Sequence, residues 1–494
     1  MKRILFAAIT LLALVFSLAS CNFLPIPPNN NTDQGNDHTE HTYPDEYLSD
    51  INYHWKKCND CENTSKKEEH ILNSSGICSI CNFRINSTNG MVYEVSDDKT
   101  YIKIVRYTGT AANVEIASEY NGLPVKEINE DAFCNNQNIE RITIPYSITH
   151  IGEDALSNCL KLTDIFVEES NEHYKSIDGN LYSKDEETLL QYAIGKANEC
   201  FDIPISVKSI GSYAFSHCES LTSIIISNEV ERIGASAFSG CTGLTDVTID
   251  NSVVTIEDWA FALCSGITNI VLGNSVEKIG ESAFQNCDNI TNVTIPNSVV
   301  SLGRSAFSFC DKLSTVEIGS SLATIGEYAF VSCPNLTSIS VDENNQSYKT
   351  IDGNLYSKDG ETLILYSPNT ENESFTVPDS VKIIENYAFD NSVNLTSISI
   401  GNSVTYIGVR AFSSCKKLTD INIPRSVAYI GVSAFSECSN LTNVMFENTD
   451  SWWYSFTDSA VSGTEISSTV LANPETAARY LRSDYCGYYW KRGE

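Results

Sequence analysis

The chain has 494 residues, and its 63 acidic residues outnumber its 32 basic ones, which gives a formal net charge of −31. A chain of this length is too long to fold around a single compact hydrophobic core of ordinary type. The charge argues against nucleic acid as a partner and against binding to an anionic membrane surface by charge alone, whereas basic proteins and cations remain compatible with it.

The N-terminus predicts export followed by lipid anchoring. In residues 1–20, a basic start precedes an apolar run that is short for a membrane span and typical of a signal peptide. The run ends in Leu-Ala-Ser before Cys21, which resembles the bacterial lipobox. The resemblance implies cleavage before Cys21 and acylation of that residue. Since no later stretch has 18 consecutive apolar residues, membrane contact is expected only through this lipid. Residues 21–50, rich in Asn, Asp and Pro, are predicted to form a disordered tether.

Residues 51–90 form a small Cys/His module. Its candidate metal ligands are Cys58, Cys61, Cys78 and Cys81, with His54 and His70 as alternatives. Two CxxC pairs at this spacing favour one structural zinc, held tetrahedrally by four thiolates in a closed, zinc-ribbon-like site. Two disulfides are the competing interpretation, because an exported protein meets an oxidising environment. A third is that a histidine completes the site with the first pair. The pattern is similar to small modules at the front of bacterial surface repeat proteins, which implies a spacer or interaction role.

The rest of the chain is dominated by a 23-residue repeat. Its phenylalanine recurs at Phe215, Phe238, Phe261, Phe284, Phe307 and Phe330. A fixed period of this size predicts a solenoid, in which each unit buries its apolar face only against its neighbours. The array is expected over residues 127–445, between an N-terminal cap at 91–126 and a C-terminal cap at 446–494.

Each repeat predicts two short strands and one helical turn. The segment Leu-Thr-x-Ile-x-Ile alternates like a strand, and Ser-Val-x-x-Ile predicts a second extended segment. The intervening segment, for example residues 281–287, is predicted to be a short helical turn. Along the first strand, a stripe of small polar side chains is expected to point outward. Its members are Ser223, Asp246, Thr248, Asn269, Asn292, Thr294, Thr315, Glu317, Ser338 and Ser340.

One cysteine position also recurs through the array. It is occupied by Cys159, Cys218, Cys241, Cys264, Cys287, Cys310, Cys333, Cys415 and Cys438. Because free cysteine is small, apolar and usually buried, these residues are expected to be core thiols rather than a metal ladder.

Two closely matching insertions interrupt the period, near residues 167–203 and 341–377. Each contains Ile-Asp-Gly-Asn-Leu-Tyr-Ser-Lys-Asp, in which Asp-Gly-Asn marks a turn. We predict a β-hairpin that projects from the stack. Tyrosine is a frequent interface anchor, so four tyrosines of the hairpins are the candidate partner-binding residues. They are Tyr174, Tyr182, Tyr348 and Tyr356.

The repeat, the two insertions and the ending Tyr-Cys-Gly-Tyr-Tyr-Trp-Lys-Arg at 485–492 resemble the BspA-like leucine-rich repeat family of bacterial surface proteins. The resemblance covers residues 91–494. It implies an α/β-type repeat solenoid of short strands and helical turns, and a role in adhesion to host proteins or to other cells.

The sequence favours a binding protein over an enzyme. It contains no HExxH, GxSxG, P-loop or GxGxxG motif. The family resemblance implies a host matrix or cell-surface protein as the partner, and together with the N-terminal motif it implies an extracytoplasmic location, on a lipid anchor, at the cell surface. A structural envelope scaffold without a host ligand is the alternative, and a hydrolase is much less favoured.

Overall fold

The computed structural model describes residues 48–49, 53–57, 64–69, 80 and 88–493. Two compact units divide the chain, Met1–Arg84 and Ile85–Glu494. In the first unit, the strands Leu48–Ser49, Tyr53–Trp55 and Glu68–Glu69 form a small antiparallel sheet. Cys21, the four module cysteines and His70 lie outside the described residues, so the lipid anchor and the zinc site stay predictions.

The second unit is a β-solenoid of about 15 turns, which confirms the predicted repeat architecture. Each turn contributes one strand to each of two parallel ladders, and equivalent residues 23 positions apart pair directly, as in Ser223 with Asp246 and Asp246 with Asn269. The long strands form four separate sheets along the array and the short strands form three. The long-strand ladder comes from the Leu-Thr-x-Ile-x-Ile segments, and the short-strand ladder from the Ser-Val-x-x-Ile segments.

The long-strand ladder consists of Asn113–Glu115, Arg141–Ile144, Asp164–Val167, Cys200–Asp202, Ser223–Ile225, Asp246–Thr248, Asn269–Val271, Asn292–Ile295, Thr315–Ile318, Ser338–Val341, Ser374–Thr376, Ser397–Ser399, Asp420–Ile423 and Asn443–Phe446. The short-strand ladder consists of Ile102–Tyr107, Leu123–Ile128, His150–Ile151, Thr188–Gln191, Ser209–Ile210, Arg232–Ile233, Thr255–Ile256, Lys278–Ile279, Ser301–Leu302, Thr324–Ile325, Thr362–Leu365, Ile383–Ile384, Tyr406–Ile407 and Tyr429–Ile430. At the N-terminal end, Met91–Val95 pairs antiparallel with Ile102–Tyr107, and Glu119–Tyr120 pairs with the start of Leu123–Ile128.

An arc, the segment from the repeat glycine to the repeat cysteine, joins each short strand to the next long strand. The arcs are consecutive tight turns, so the helical turn predicted for residues 281–287 is wrong. Ser282 and Asn286 have φ of 52° and 57°, and residues in this left-handed region interrupt a right-handed helix. Adjacent arcs are instead joined by backbone hydrogen bonds, such as Phe238 N–H to the Ala260 carbonyl at 2.7 Å.

The repeat phenylalanines form a stack through the core. Ring centroids of Phe215, Phe238 and Phe261 follow one another at 4.9 Å, with neighbouring rings nearly parallel. Within residues 88–493 the stack stops at Phe330 and resumes at Tyr366, which lies 5.0 Å from Phe389. The buried core is accordingly divided, with one cluster between residues 182 and 365 and another between 356 and 490.

The first insertion lies at the start of the core cluster between residues 182 and 365. Its hairpin pairs Tyr174–Ile177 with Asn180–Ser183, and the latter strand continues into the short-strand ladder. The hairpin is fixed to the preceding turn at both ends, because Ile151 N–H donates to the Tyr174 hydroxyl at 3.0 Å and Ile165 N–H donates to the Gly179 carbonyl at 2.9 Å. The prediction of a projecting hairpin is therefore wrong, since the insertion is built into the stack.

The second insertion repeats this arrangement. Tyr348–Ile351 pairs with Asn354–Ser357. Ile325 N–H donates to the Tyr348 hydroxyl at 3.0 Å, and Ile339 N–H donates to the Gly353 carbonyl at 2.9 Å. Each hairpin thus covers the end of one stack of turns and begins the next.

The C-terminal segment closes both ladders. The strands Trp452–Ser455, Thr464–Glu465 and Tyr489–Arg492 extend the short-strand ladder with antiparallel pairing. Ser468–Leu471 and Pro474–Arg479 are short α-helices, followed by a π-helical turn, Tyr480–Asp484. Pro474–Arg479 packs on Asn443–Phe446, the last long strand. A solenoid needs such a cover, because its final turn has no neighbour to bury its apolar face.

Candidate protein-interaction surface

The outward side of the long-strand ladder is an exposed stripe. Strand alternation buries Ile224 and Val247 and turns Ser223, Asp246 and Thr248 to solvent. Of the predicted stripe, Thr315 and Ser338 are half-buried, and the other members are exposed. The structure therefore confirms that these polar side chains point outward from the ladder.

The stripe also carries apolar side chains that the prediction of small polar groups omitted. Ile225 is 63% exposed, and Val271 lies two turns away at the same position. Phe166 and Met445 occupy that position near the two ends of the ladder. The signal was visible in the sequence, because the residue between the two buried positions of the strand varies from Thr and Ser to Ile, Val, Phe and Met.

Beside the stripe, the repeat threonines form the expected hydroxyl ladder. Thr245 Oγ1 donates to the Thr222 carbonyl at 3.4 Å, and Thr268 Oγ1 donates to the Thr245 carbonyl at 3.2 Å. These hydroxyls join successive turns, so their role is structural.

Two of the four candidate tyrosines are not accessible to a partner. Tyr182 and Tyr356 are each 1% exposed. Burial raises the pKa of both phenols to about 12. Their interpretation as contact residues is wrong, because each ring fills the core where a stack of turns begins.

Tyr174 and Tyr348 are half-buried, and their hydroxyls have partners. Besides accepting from Ile151 N–H, the Tyr174 hydroxyl donates to the Thr149 carbonyl at 3.4 Å. Tyr348 does the same to the Ala323 carbonyl at 3.4 Å. Only the exposed ring edges are left for a partner, and their participation stays a prediction.

The residues that hold the insertions are two buried asparagines that the sequence analysis did not single out. Asn171 and Asn345 are both 0% exposed. The Asn345 side chain donates to the carbonyls of Gly319 and Leu322 at 2.9 and 3.1 Å, and accepts from the amides of Ser347 and Tyr348. Asn171 makes the equivalent bonds. The identical spacing to Tyr174 and Tyr348 was the available signal.

A cleft opens beside each hairpin. The second has a volume of about 320 Å³ and is lined by Glu327, Tyr328, Tyr348, Ile364 and Glu385 among others. The first, about 190 Å³, is lined by Glu153, Leu190 and Arg232 among others. Neither lining contains a histidine or cysteine, the residue types that most often hold zinc.

The repeat cysteines are buried thiols, as predicted. Cys264 Sγ donates to the Phe238 carbonyl at 3.0 Å, one turn earlier. The same bond recurs at Cys159, Cys241, Cys287, Cys310, Cys333, Cys415 and Cys438. Burial raises the pKa of Cys159 to about 12, and that of Cys287 well above its usual range. The remaining cysteines of the array, Cys134 and Cys486, are partly exposed, and Cys200 is exposed on an edge strand.

Metal-ligand clusters and membrane-spanning helices are both absent from the residues that the structure describes. Among them, no group of three or more His, Cys, Asp or Glu side chains is arranged to hold a metal ion. Within the same residues, no helix has the length and apolarity to cross a bilayer.

The two parallel ladders and the repeat period define a leucine-rich-repeat solenoid. A family model described as "BspA type Leucine rich repeat region" matches in 6 copies, over residues 111–189, 192–287, 263–359 and 365–480. The chain belongs to this family of bacterial cell-surface proteins. Solenoids of this type generally bind proteins and are typically not enzymes.

Solved structures of similar fold come from several bacteria. A leucine rich cell surface protein from Faecalibacterium prausnitzii A2-165 is 24% identical, with a TM-score of 0.39, and the match covers 74% of this chain and 95% of that one. A leucine-rich repeat protein from Bacteroides ovatus is also 24% identical, with a TM-score of 0.40, covering 74% and 88%. The pneumococcal vaccine antigen PcpA is 15% identical, with a TM-score of 0.36, covering 83% and 84%. No curated protein matches the chain.

Proposed function

We propose that the protein is a lipid-anchored, extracytoplasmic adhesin whose repeat array binds proteins of a host surface or of other cells. The observation that supports this most directly is the exposed stripe, which repeats the same positions on six successive long strands that form two neighbouring parallel sheets. Many weak contacts at fixed spacing favour avid binding to an extended partner.

The partner would be recognised at more than one place. The stripe is mostly small and polar, so it is suited to weak contacts rather than to hot spots. Tyr174 and Tyr348 would add their exposed ring edges near the two clefts. The net charge of −31 favours partners with basic surfaces over acidic ones.

Partner capture tests the binding function. Purified protein is presented on a sensor surface to extracellular matrix proteins, serum proteins and intact cells. We expect saturable binding to at least one of them, and at least a tenfold loss, about 1.4 kcal/mol, when Asp246, Thr248 and Glu317 are all changed to Lys. Changing Glu231, Thr255 and Glu277, which lie on or beside the short-strand ladder, to Lys alters the net charge by the same amount and should leave binding unchanged. If nothing is captured, the envelope scaffold becomes the better interpretation.

The anchor has an independent test. Labelled fatty acid should enter the wild-type protein, and Cys21→Ser should release the protein from the membrane fraction. A Cys21→Ser variant that remains labelled and membrane-bound would exclude anchoring at this residue.

A further inference from the structure

Most arcs have two residues in the left-handed region, one before the Ala-Phe pair and one before the repeat cysteine. Small or polar residues, to which this conformation is least costly, occupy most of these positions. Examples are Ser236, Ser282, Ser305 and Ser433 at the first, and Asn135, Asn158, Asn286, Asn391 and Ser414 at the second.

Three exposed apolar residues depart from this pattern. Trp259, Leu263 and Phe309 have φ of 60°, 62° and 57°. They are 41%, 43% and 40% exposed. Bulky side chains are costly in this conformation, and here they do not gain full burial in return. Tyr213, Tyr328 and Tyr387 are also bulky but are half-buried, and the rings of the last two contact each other at 4.8 Å.

The three side chains lie on arcs within three successive turns, and we call them together the arc patch. Trp259 and Leu263 lie on the same arc, and Phe309 lies two turns further. The Phe261, Phe284 and Phe307 rings of these turns are spaced by 5.3 and 5.0 Å, so the patch extends over about 10 Å along the stack. Backbone bonds hold the arcs rigidly together, with Leu263 N–H donating to the Gln285 carbonyl at 2.7 Å.

Carboxylates adjoin the three arcs in sequence, each within two residues of a left-handed position. They are Asp258, Glu281, Asp288 and Asp311, and no salt bridge joins any of them to a cation within residues 88–493. Asp288 lies close enough to Asp311 for like-charge repulsion to raise its pKa, after the larger effect of burial. Residues 257–312 contain six acidic side chains and three basic ones, Lys278, Arg304 and Lys312, so the acidic groups prevail.

We propose that the arc patch anchors a basic amphipathic segment of a partner protein, with the apolar side chains of the segment on Trp259, Leu263 and Phe309 and its lysines or arginines beside the carboxylates. Tryptophan is among the residues most enriched at interface hot spots, and a charged rim supplies orientation and a faster association. The inference rests on the proposed protein-binding function and assigns its strongest contact to the arcs rather than to the stripe or the hairpins.

A labelled model peptide tests the proposal without knowledge of the natural partner. The probe is a helical peptide with leucines on one face and lysines on the flanks, and fluorescence polarisation measures its binding to the full-length protein. The variant combines Trp259→Ser, Leu263→Asn and Phe309→Asn, which are residues that other arcs already use at these positions. We expect this variant to bind the probe at least tenfold more weakly and to have an unchanged or higher Tm.

Controls separate the patch from general charge attraction. A probe with its leucines changed to serine, and one with its lysines changed to glutamate, should each bind at least tenfold more weakly than the original. Changing exposed Val254 and Val300 to Thr removes apolar surface elsewhere and should have no effect. Equal binding by wild type and the triple variant, absence of probe binding, or self-association of the wild type that the triple variant abolishes would overturn the proposal. Capture of matrix proteins by a chain that ignores the probe would leave the general binding function standing.

Discussion

At the scale of single residues, the repeat cysteine shows how one side chain serves both packing and hydrogen bonding. Its thiol fills a small apolar space and also satisfies a phenylalanine carbonyl of the preceding turn. Asn136 stands at the same position near the N-terminal end, where its Nδ2 donates to the Gly109 carbonyl at 3.2 Å. Ser392, at the equivalent position after the second insertion, is buried without a partner for its hydroxyl. Cysteine and asparagine at this position therefore satisfy a carbonyl of the preceding turn, whereas the shorter serine does not.

Alkylation measures how accessible the repeat cysteines are to a reagent in solution. Because both thiols are fully buried and therefore inaccessible to the reagent, Cys264 and Cys287 should resist iodoacetamide in the native protein and react after unfolding. Exposed Cys200 is the internal control and should react in both states. Peptide mass mapping gives each site separately. Native labelling of Cys287 at the rate of Cys200 would contradict the buried orientation.

A second residue links stability to pH. Burial raises the pKa of Asp390 to about 6, above an unfolded value of about 4. The folded state therefore binds the proton more tightly, so the unfolding free energy decreases as pH rises from about 4 to 6 and stays lower above that. We expect Asp390→Asn to stabilise the protein by roughly 2 kcal/mol at pH 7.5 and much less at pH 4.5.

Denaturant unfolding at the two pH values measures this difference. Asp379→Asn, at an exposed site, is the control and should change stability by less than about 0.5 kcal/mol at either pH. An Asp390→Asn effect that is equal at both pH values would argue against the titration of this carboxyl.

At the scale of elements, the insertions show what the sequence could and could not supply. The hairpin itself was predictable, because Asp-Gly-Asn between alternating residues is a local turn signal. Its placement was not, because the bond from Ile151 N–H to the Tyr174 hydroxyl joins residues 23 positions apart. The same limitation explains the error on Tyr182, whose alternation within the strand does not tell which side the stack covers. The prediction of a helical turn in the arc was wrong for a local reason. A serine or asparagine also occurs in other backbone conformations, so the sequence does not show that its φ is near +55°.

The buried asparagine of the insertion is testable on its own. Asn345→Ala removes four hydrogen bonds and leaves buried carbonyls and amides without partners, so we expect a loss of about 3 kcal/mol or more in unfolding free energy. Asn344→Ala next to it, with an exposed side chain, should cost less than about 0.5 kcal/mol. Urea titrations of the two variants give both values. Equal stabilities would mean that the insertion is held by other contacts.

At the scale of the whole molecule, the repeat period predicted the solenoid, its buried Phe, Ile and Cys positions and the outward stripe. It did not reveal the arc patch, because Trp259, Leu263 and Phe309 occupy variable positions of the repeat and their exposure depends on how the arcs turn. For the N-terminal module, the prediction depends on cysteine spacing alone, and metal analysis decides it.

We expect about one zinc per chain, bound through Cys58, Cys61, Cys78 and Cys81, in protein purified without chelator, as for a closed four-thiolate site. Changing Cys78 and Cys81 to Ser should abolish it, and His70→Ala should not if four cysteines suffice. A metal-free protein with two disulfides by mass spectrometry would establish the competing interpretation.

The two built-in hairpins also bear on cooperativity. In a linear array, each turn is stabilised mainly by its neighbours, so unfolding spreads until a weak junction stops it. The gap in the ring stack between Phe330 and Tyr366 is such a junction. We expect the turns before and after it to open as separate blocks, with amide hydrogens of 374–446 exchanging together and at a rate different from those of 200–341. Hydrogen exchange with mass spectrometry resolves the two blocks, and a single common rate would mean that the hairpin transmits unfolding as well as any other turn. A surface protein built this way can lose one block under stress while the other keeps its partner.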